Sequence, residues 1–479
     1  MLRCMEHTAI LSQLIKEAKK GKKNLVVNWL DFANAYGSIP HRVISRALEA
    51  AHVPEAVRNF VASYYNNVNI RFSTRRFTTK WQRVEKGIIT GCTLSVILFA
   101  LAMSWLIDSV KKETKGPTTT SGQRQVNSRL FMDDITTTTE TVPQTNSLLD
   151  SISRKLQWAG LKVRAEKCRS LVIFKGKVQN RSLKIDGEEI TSIKDKDIKY
   201  LGQVYSANLS ERDQILEVER KLKAELKKID KCKLPGRYKC WMMQYMLLPR
   251  LMWPLTIYNI PATRVEEMQK KITAALKKWL GIPKNLSVDC LYSKSAKLRL
   301  PFSALTEEVK ASKVRNLTTF QESSDPCIRD AEIEVDAGRK VHTGQEIEEA
   351  KSRLRMKEVT GIPNRGREGL GMRKMQFYSS GSSKERRDMI VKVVREKEEE
   401  QRVINMTTLS KQGAHMKWEV PQRRLKQADL TAMPEEKIKF LIKSVYDLLP
   451  TPANKSKWFD TDERCPRRKW YTESHTNRM

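Results

Sequence analysis

Three aspartates stand where paired carboxylates could hold metal ions. Asp31 follows an apolar, β-branched run, and Asp133 and Asp134 lie between two short strand-like runs, 129–131 and 135–139. Acids at the ends of neighbouring strands can converge on two Mg²⁺ ions about 3.5–4 Å apart, an arrangement that serves phosphoryl transfer. One ion lowers the pKa of an attacking hydroxyl, and the other holds the leaving phosphates. Most Asp-Asp pairs are surface turns, so the acids alone do not decide the chemistry.

The elements that would position these acids form an α+β pattern up to residue 206. Apolar, β-branched runs predict strands, and longer apolar periodic runs predict helices. Met132, Asp133 and Asp134 read as the tip of a tight hairpin. The predicted helices are 40–51, 55–65, 94–110 and 146–158, and the predicted strands are 24–29, 69–77 paired with 81–84, 129–131, 135–139, 170–174 and 198–204.

After Ala207 the sequence pattern favours helices. Apolar residues recur at spacings of three and four between Ile215 and Ile229, the stripe of an amphipathic helix. Residues 361–383 are rich in Gly, Ser and Arg and predict a flexible linker. The tryptophans in the apolar helical stretches, Trp241, Trp253 and Trp279, are predicted to pack in the core. Further helices are predicted at 238–248, 265–280, 384–404 and 435–449.

The charge of the chain favours a nucleic-acid partner. Lys and Arg number 89 against 55 Asp and Glu in 479 residues, a net charge of +34. We therefore expect RNA and DNA binding with little sequence preference and a steep salt dependence. The alternative is that the charge serves solubility, or that it belongs to a tail that binds any acidic partner.

The sequence carries no sign of a membrane or an export route. No apolar run reaches the roughly 20 residues of a membrane helix, and the first 20 residues lack a signal-peptide core. The eight cysteines contain no C-x-x-C pair and read as reduced thiols. These features predict an intracellular protein, nuclear or cytoplasmic and not secreted.

The order of five short motifs is far more specific than any one of them. They are LDFANAYGSIPH at 30–41, GIITGCTLS at 87–95, FMDD at 131–134, GLK at 160–162 followed by Lys167, and YLG at 200–202. This series resembles the successive palm motifs of reverse transcriptases. Its amino-acid sequence is similar to that of the reverse transcriptases of non-LTR (LINE-type) retrotransposons. The resemblance covers about residues 1–325. It implies a polymerase palm with an antiparallel sheet, then a helical thumb and a basic helical extension.

The resemblance also implies roles for the acids. Asp31, Asp133 and Asp134 would form the catalytic cluster. Asp31 and Asp133 would be the direct metal ligands, joined by the carbonyl oxygen of Phe32. The implied cofactor is a pair of Mg²⁺ ions, with Mn²⁺ as an alternative.

Further residues would bind the nucleotide and the primer. Tyr36 falls at the steric gate that meets the ribose 2′-position, Gly91 would let the backbone approach the nucleotide, and Lys167 would lie near the leaving pyrophosphate. Tyr200, Leu201 and Gly202 would form the primer grip. The structural alternatives are a core tyrosine, a solvated lysine and a plain edge strand. Three departures from the family pattern are Thr90 for Gln, Val96 for Pro and Phe131 for Tyr.

The two ends depart further from the family. Thirty residues precede Asp31, so we expect a truncated fingers region and a poorly active isolated chain. Cys465 stands where a C-terminal zinc knuckle would begin, but only His475 follows as a soft ligand, so we expect no zinc. The expected organisation is a palm with truncated fingers at 1–206, a thumb-like region at 207–330, a basic helical extension with a linker at 331–450, and a degenerate tail at 451–479.

The resemblance predicts an RNA-directed DNA polymerase that acts by two-metal nucleotidyl transfer to a primer 3′-hydroxyl. Its partners would be an RNA template, a DNA primer and deoxynucleoside triphosphates. The alternative is a catalytically inactive, nucleic-acid-binding remnant of a retroelement. The sequence leaves the template preference and the oligomeric state open.

Overall fold

The computed structural model of the chain describes residues 4–335, 342–364, 371–456, 462, 464–465 and 468–472, with the backbone alone at 465 and 468–472. The described residues form two compact units. Unit 1 comprises Met1–Ser210 and Ser323–Glu334, and unit 2 comprises Glu211–Glu322 and Val335–Met479.

Unit 1 combines helices with an antiparallel sheet, which confirms the mixed α+β prediction. Its helices are α1 Cys4–Lys20, α2 Ala35–Ser38, α3 His41–Ala50, α4 Glu55–Asn67, α5 Thr93–Asp108, α6 Val142–Trp158 and α13 Pro326–Arg329. Its strands are β1 Leu25–Leu30, β2 Asn69–Ile70, β3 Gln82–Arg83, β4 Ser128–Phe131, β5 Asp134–Thr139, β6 Arg169–Phe174, β7 Lys177–Gln179, β8 Leu183–Ile185, β9 Glu188–Ile190, β10 Ile198–Tyr200 and β11 Gln203–Tyr205.

The central sheet has five strands in the order β4-β5-β1-β6-β7. All neighbours run antiparallel, and β1 pairs with β5 on one side and β6 on the other. All six residues of β1 are buried, because strands flank both edges and side chains cover both faces. Helices α3, α5 and α6 supply much of the core beside the sheet, including the fully buried Phe99 and Leu148. The central strand is thereby held rigidly up to its last residue, Leu30.

The segment 323–334 completes unit 1 from a distant part of the sequence. Its apolar residues Ile328, Ala331 and Ile333 are buried. The hydroxyl of Ser323 donates to the carboxylate of Glu6 on α1 at 2.9 Å. The side-chain amide of Gln125 donates to the carbonyl oxygen of Cys327 at 2.9 Å. The segment thus packs against α1 and the loop before β4.

Unit 2 is mainly helical. Its helices are α7 Arg212–Lys231, α8 Gly236–Met242, a π-helix Met243–Leu247, α9 Leu248–Ile257, α10 Ala262–Trp279, α11 Val288–Tyr292, α12 Leu305–Gln321, α14 Thr343–Thr360, α15 Ser383–Thr407, a 3₁₀ helix Ala414–Lys417, α16 Gln427–Ala432, α17 Glu435–Val445 and α18 Pro452–Lys455. Its short strands are β12 Leu298–Arg299, β13 Arg423–Arg424, β14 Arg464–Cys465 and β15 Arg468–Thr472. The helices predicted around 215–229, 265–280, 384–404 and 435–449 are confirmed.

The prediction that all three tryptophans pack in the core is wrong for two of them. Trp279 is buried, but Trp241 and Trp253 are among the exposed large hydrophobic residues. The five-residue π-helix Met243–Leu247 lies between them, and its wider turn changes which side chains face the core. The apolar pattern of this helical stretch therefore did not predict which of its side chains are buried.

Several predictions remain open in this half of the chain. The division into a thumb-like region, a basic extension and a tail stays a prediction. In the expected linker 361–383, residues 361–364 and 371–382 contain no helix, and Ser383 begins α15. The Cys465 side chain and residues 473–479, which carry the zinc prediction, lie outside the described residues. Within the described part of the chain, no helix combines the length and hydrophobicity that crossing a bilayer requires.

Candidate active site

The three predicted acids meet at one edge of the central sheet. The last pair of the β1–β5 ladder is Leu30 with Ile135. The next residues of the two strands, Asp31 and Asp134, therefore lie side by side just beyond the ladder. Phe131 pairs with Asp134, which leaves Met132 and Asp133 as a two-residue turn between β4 and β5. Met132 adopts a positive φ of 56°, as such turns require. The turn thereby presents Asp133 beside the end of β1.

The backbone of Asp31 is fixed from the other side of β1. Its carbonyl oxygen accepts a hydrogen bond from the Arg164 amide at 2.9 Å. Its own amide donates to the Cys168 sulfur at 3.4 Å. Burial raises the pKa of the Cys168 thiol to about 11, so the sulfur stays protonated and adds no negative charge beside the acids. Sequence reasoning missed Cys168, because nothing in its neighbourhood links it to Asp31.

The acids repel one another electrostatically. Burial raises the pKa of Asp134 to about 6, and the charges of Asp133 and Asp31 add to the increase. The Oδ2 atom of Asp31 is buried and makes no hydrogen bond. The ammonium of Lys167 lies 3.9 Å from this atom. This separation is too long for a hydrogen bond, so the negative charge at the edge is only partly balanced.

The carboxylates at this site have the charge and the ligand atoms that suit a divalent cation. Carboxylate oxygens are hard ligands that suit Mg²⁺, and a cation would relieve the repulsion that raises the Asp134 pKa. Among the described residues, however, no three His, Cys, Asp or Glu side chains are gathered closely enough to hold a metal ion by themselves. Magnesium is commonly held by one or two carboxylates together with substrate phosphates and water.

Tyr36 lies next to the acidic turn. Its ring stacks on Phe99 with centroids 4.3 Å apart and planes inclined by 16°. Its hydroxyl lies 3.9 Å from the sulfur of Met132 in the turn. Burial and the charge of Asp133 both raise the pKa of the Tyr36 hydroxyl, in that order of size. The ring is thus held in one orientation beside the carboxylates, partly exposed to solvent.

The loop 87–91 is attached to the segment that carries Tyr36. The amide of Gly87 donates to the Ile39 carbonyl at 2.7 Å, and the amide of Ile88 donates to the Tyr36 carbonyl at 2.8 Å. The Nε2 atom of His41 bonds to the Gly87 carbonyl oxygen at 2.8 Å. In the sequence His41 follows Pro40 at a helix start, which favours a cap or surface role over catalysis. The structure shows that it holds the loop.

The two loop glycines meet different surroundings. A Cβ on Gly87, at φ 85°, would lie 2.6 Å from the carbonyl oxygen of Gly37. A Cβ on Gly91, at φ 90°, would meet nothing within 4 Å. Gly87 therefore allows close packing of two backbone segments. Gly91 instead provides an open stretch of backbone that a ligand can approach.

The remaining predicted residues form a separate hairpin. Tyr200 pairs with Gln203, so Leu201 and Gly202 make a two-residue turn between β10 and β11 with φ values of 47° and 84°. Tyr200 is buried, and burial raises the pKa of its hydroxyl. Of the three predicted residues, Leu201 and Gly202 in the turn are partly exposed. A primer contact at this hairpin stays a prediction, and the exposed turn is the part available for it.

Comparison with known proteins gives a family match for the segment that carries this site. Residues 2–205 match the family model described as reverse transcriptase (RNA-dependent DNA polymerase). The matched segment contains all the residues predicted to form the site.

Three curated relatives are Pol polyproteins of R2 retrotransposable elements. A protein from Nasonia vitripennis is 26% identical over 323 residues, covering 65% of this chain and 31% of the relative. A protein from Bradysia coprophila is 25% identical over 297 residues, covering 60% and 33%. A protein from Drosophila melanogaster is 24% identical over 308 residues, covering 62% and 28%. The chain thus spans about one third of the length of these relatives.

A solved structure of telomerase from Candida albicans, in complex with a fragment of telomeric RNA, aligns with 67% of this chain and 51% of its own. The sequence identity is 11% and the TM-score 0.29, too low to inform the fold. The family match and the curated relatives agree with each other and with the order of the motifs. Residues 2–205 match the reverse transcriptase family model, and the chain is similar to the Pol polyproteins of R2 retrotransposable elements.

Proposed function

We propose that this domain catalyses RNA-templated DNA synthesis, adding deoxynucleotides to a primer 3′-hydroxyl. One observation carries the proposal: Asp31, Asp133 and Asp134 lie together at one sheet edge, within the segment that matches the reverse transcriptase family model, and their repulsion contributes to the raised pKa of Asp134. The substrates would be an RNA template, a DNA primer and deoxynucleoside triphosphates.

Asp31 and Asp133 would bind the divalent cations, two Mg²⁺ ions or in their place Mn²⁺, with the Phe32 carbonyl as an added oxygen ligand. When bound, such ions lower the pKa of the attacking hydroxyl and stabilise charge on the phosphates. The two hydrogen bonds beside Phe32 use the Asp31 carbonyl and the Ala33 amide and do not use the Phe32 carbonyl. Asp134 completes the negative field at the site, which supports binding of cations together with their phosphates.

The other side chains would orient the substrates. Tyr36 presents its ring beside the acidic turn, where it would meet the ribose 2′-position and favour deoxynucleotides. Lys167, about half exposed and 3.9 Å from Asp31, could turn toward a leaving pyrophosphate without losing a hydrogen bond to that carboxylate. The open backbone at Gly91 would contact the nucleotide, and the turn of Leu201 and Gly202 beside Tyr200 would hold the primer end.

Primer extension on poly(rA)/oligo(dT) with Mg²⁺ tests the proposal. The Asp133→Asn variant should lose at least about 10³-fold in rate while it still binds the primer–template, because charge stabilisation at the reacting phosphate is lost. Asp150→Asn, which changes an exposed acid on α6, serves as the matched control. A protein that binds the primer–template without extending it would favour the non-catalytic remnant instead.

A further inference from the structure

An exposed hairpin extends from unit 1 between α4 and the loop 87–91. Its base is the ladder of β2 and β3, in which Asn69 pairs with Arg83. Beyond this ladder the pairing continues through a bridge between Ser73 and Thr78. The amide of Thr79 donates to the Phe72 carbonyl, and the amide of Thr74 donates to the Phe77 carbonyl, both at 2.8 Å. The hairpin is therefore an ordered two-stranded ribbon along its whole length.

The hairpin displays large aromatic rings to solvent. Phe72, Phe77 and Trp81 are 64%, 62% and 62% exposed. Rings of this size bury a large apolar area when they are covered, so three of them uncovered on one short ribbon is unusual for a surface that contacts only water. Apart from Thr79, every residue from 69 to 83 is exposed. The rings are thus available to a partner.

The same ribbon is strongly basic. It carries five cations and no acid between positions 69 and 84, namely Arg71, Arg75, Arg76, Lys80 and Arg83. In the described part of the chain none of these five makes an ion pair, unlike many of the cations of unit 2. The guanidinium of Arg71 lies over the Trp81 ring, 4.7 Å from its centroid. This contact places a cation and an aromatic platform on one face of the ribbon.

We propose that the hairpin 69–83 binds single-stranded nucleic acid, with bases stacked on Phe72, Phe77 and Trp81 and phosphates paired with the five cations. Base–aromatic stacking beside basic side chains is how proteins hold single strands without sequence preference. A duplex would leave the rings unused, because its bases are already stacked on each other. The binding requires no nucleotidyl transfer, so it stands apart from the proposed catalysis.

Fluorescence anisotropy with labelled 15-mers tests the proposal, in the Asp133→Asn background and without nucleotides. The first probe is oligo(dT), and the second is an abasic strand with the same number of phosphates. The double variant Phe72→Ala/Trp81→Ala should bind oligo(dT) about tenfold more weakly and the abasic strand equally well. Phe440→Ala is the matched control, because Phe440 is 61% exposed and stands beside Lys439 on α17.

A second variant separates the phosphates from the bases. Replacing Arg75, Arg76 and Lys80 by serine should reduce the slope of log affinity against log salt by about two, for both strands. Circular dichroism and thermal melting confirm that each variant folds, since all the changed side chains are exposed. Equal oligo(dT) binding by wild type and both hairpin variants would overturn the proposal. So would hairpin variants that lose binding only to vesicles of anionic phospholipid, which would identify a membrane surface as the partner.

Discussion

The Nε2 atom of His41 lies 2.8 Å from the carbonyl oxygen of Gly87. A carbonyl oxygen can only accept a hydrogen bond, so Nε2 must carry the proton. The same loop is bonded to the backbone of Ile39 and Tyr36 through the amides of Gly87 and Ile88. The glycine loop and the segment that carries Tyr36 are thereby joined at three points. Displacing one should displace the other.

Replacing His41 tests this connection. His41→Ala removes one of the three hydrogen bonds and should lower the free energy of unfolding by about 1 kcal/mol, with roughly a fivefold loss in kcat/KM for nucleotide addition. His41→Gln keeps an N–H donor of similar reach and should restore most of both quantities. Urea denaturation and steady-state primer extension measure the two effects. Equal behaviour of the alanine and glutamine variants would mean that the hydrogen bond has no positioning role.

The two loop glycines should respond differently to alanine. Both have positive φ, so each substitution introduces backbone strain of about 1–2 kcal/mol. Gly87→Ala also forces a Cβ to within 2.6 Å of the Gly37 carbonyl and should cost about 2 kcal/mol more. Gly91→Ala should mainly reduce nucleotide affinity. Chemical denaturation of the two variants side by side checks the order, and a reversed order would contradict the packing described for Gly87.

Tyr36 should control the choice between deoxyribo- and ribonucleotides. Tyr36→Val removes the ring that stacks on Phe99 and should reduce the preference for deoxynucleotides by roughly 10- to 100-fold. Tyr36→Phe keeps the ring and should leave the preference unchanged. The ratio of kcat/KM for dTTP to kcat/KM for UTP on poly(rA) measures this preference. If the phenylalanine variant also accepts UTP, the hydroxyl discriminates and the ring does not.

Asp134 should make the protein less stable as the pH rises. Its pKa is raised in the folded state to about 6 from 3.8, so the folded protein binds this proton more tightly than the unfolded chain. The stabilisation is fully present below about pH 4 and is lost as the pH rises through about 6. Asp134→Asn should therefore be more stable than wild type at pH 8 without metal, by on the order of 1 kcal/mol after allowance for solvent screening.

Denaturation curves at pH 4 and pH 8 in the presence of a chelator measure this difference. The advantage of the asparagine variant should disappear at the lower pH, where wild-type Asp134 is largely protonated. Asp150→Asn, which changes an exposed acid on α6, again serves as the matched control. An advantage that is the same at both pH values would point to packing and not to charge.

Local patterns predicted the parts of the site that depend on short stretches of chain. The β-branched run 135–139 and the apolar run before Asp31 predicted strands, and the pairing of Leu30 with Ile135 brings their acids together. The hairpin at 69–83 was also predicted as a strand pair, 69–77 with 81–84, but the structure turns at 74–77, so Phe77 lies at the start of the second arm. The pattern did not show that its rings are exposed, because exposure depends on whether another element covers them.

The contacts that fix the site are non-local, and the sequence alone could not predict them. His41 and Gly87 are 46 positions apart, and Asp31 and Cys168 are 137 apart. A histidine after a proline and a cysteine before an arginine carry no mark of these partners. Only the three-dimensional pairing of β1 with β6, and of the helix start with the loop, brings them together.

The return of residues 323–334 to unit 1 affects how the protein can be made. During synthesis the first 210 residues leave the ribosome well before Ser323, Ile328 and Ile333. These three residues are buried in the same unit as the first 210. Until then α1 lacks the hydrogen bond between Ser323 and Glu6, and the loop before β4 lacks its contact with Cys327. Unit 1 therefore cannot finish folding until more than a hundred residues of unit 2 have been translated. Folding of unit 1 during translation is coupled to the emergence of the helical half.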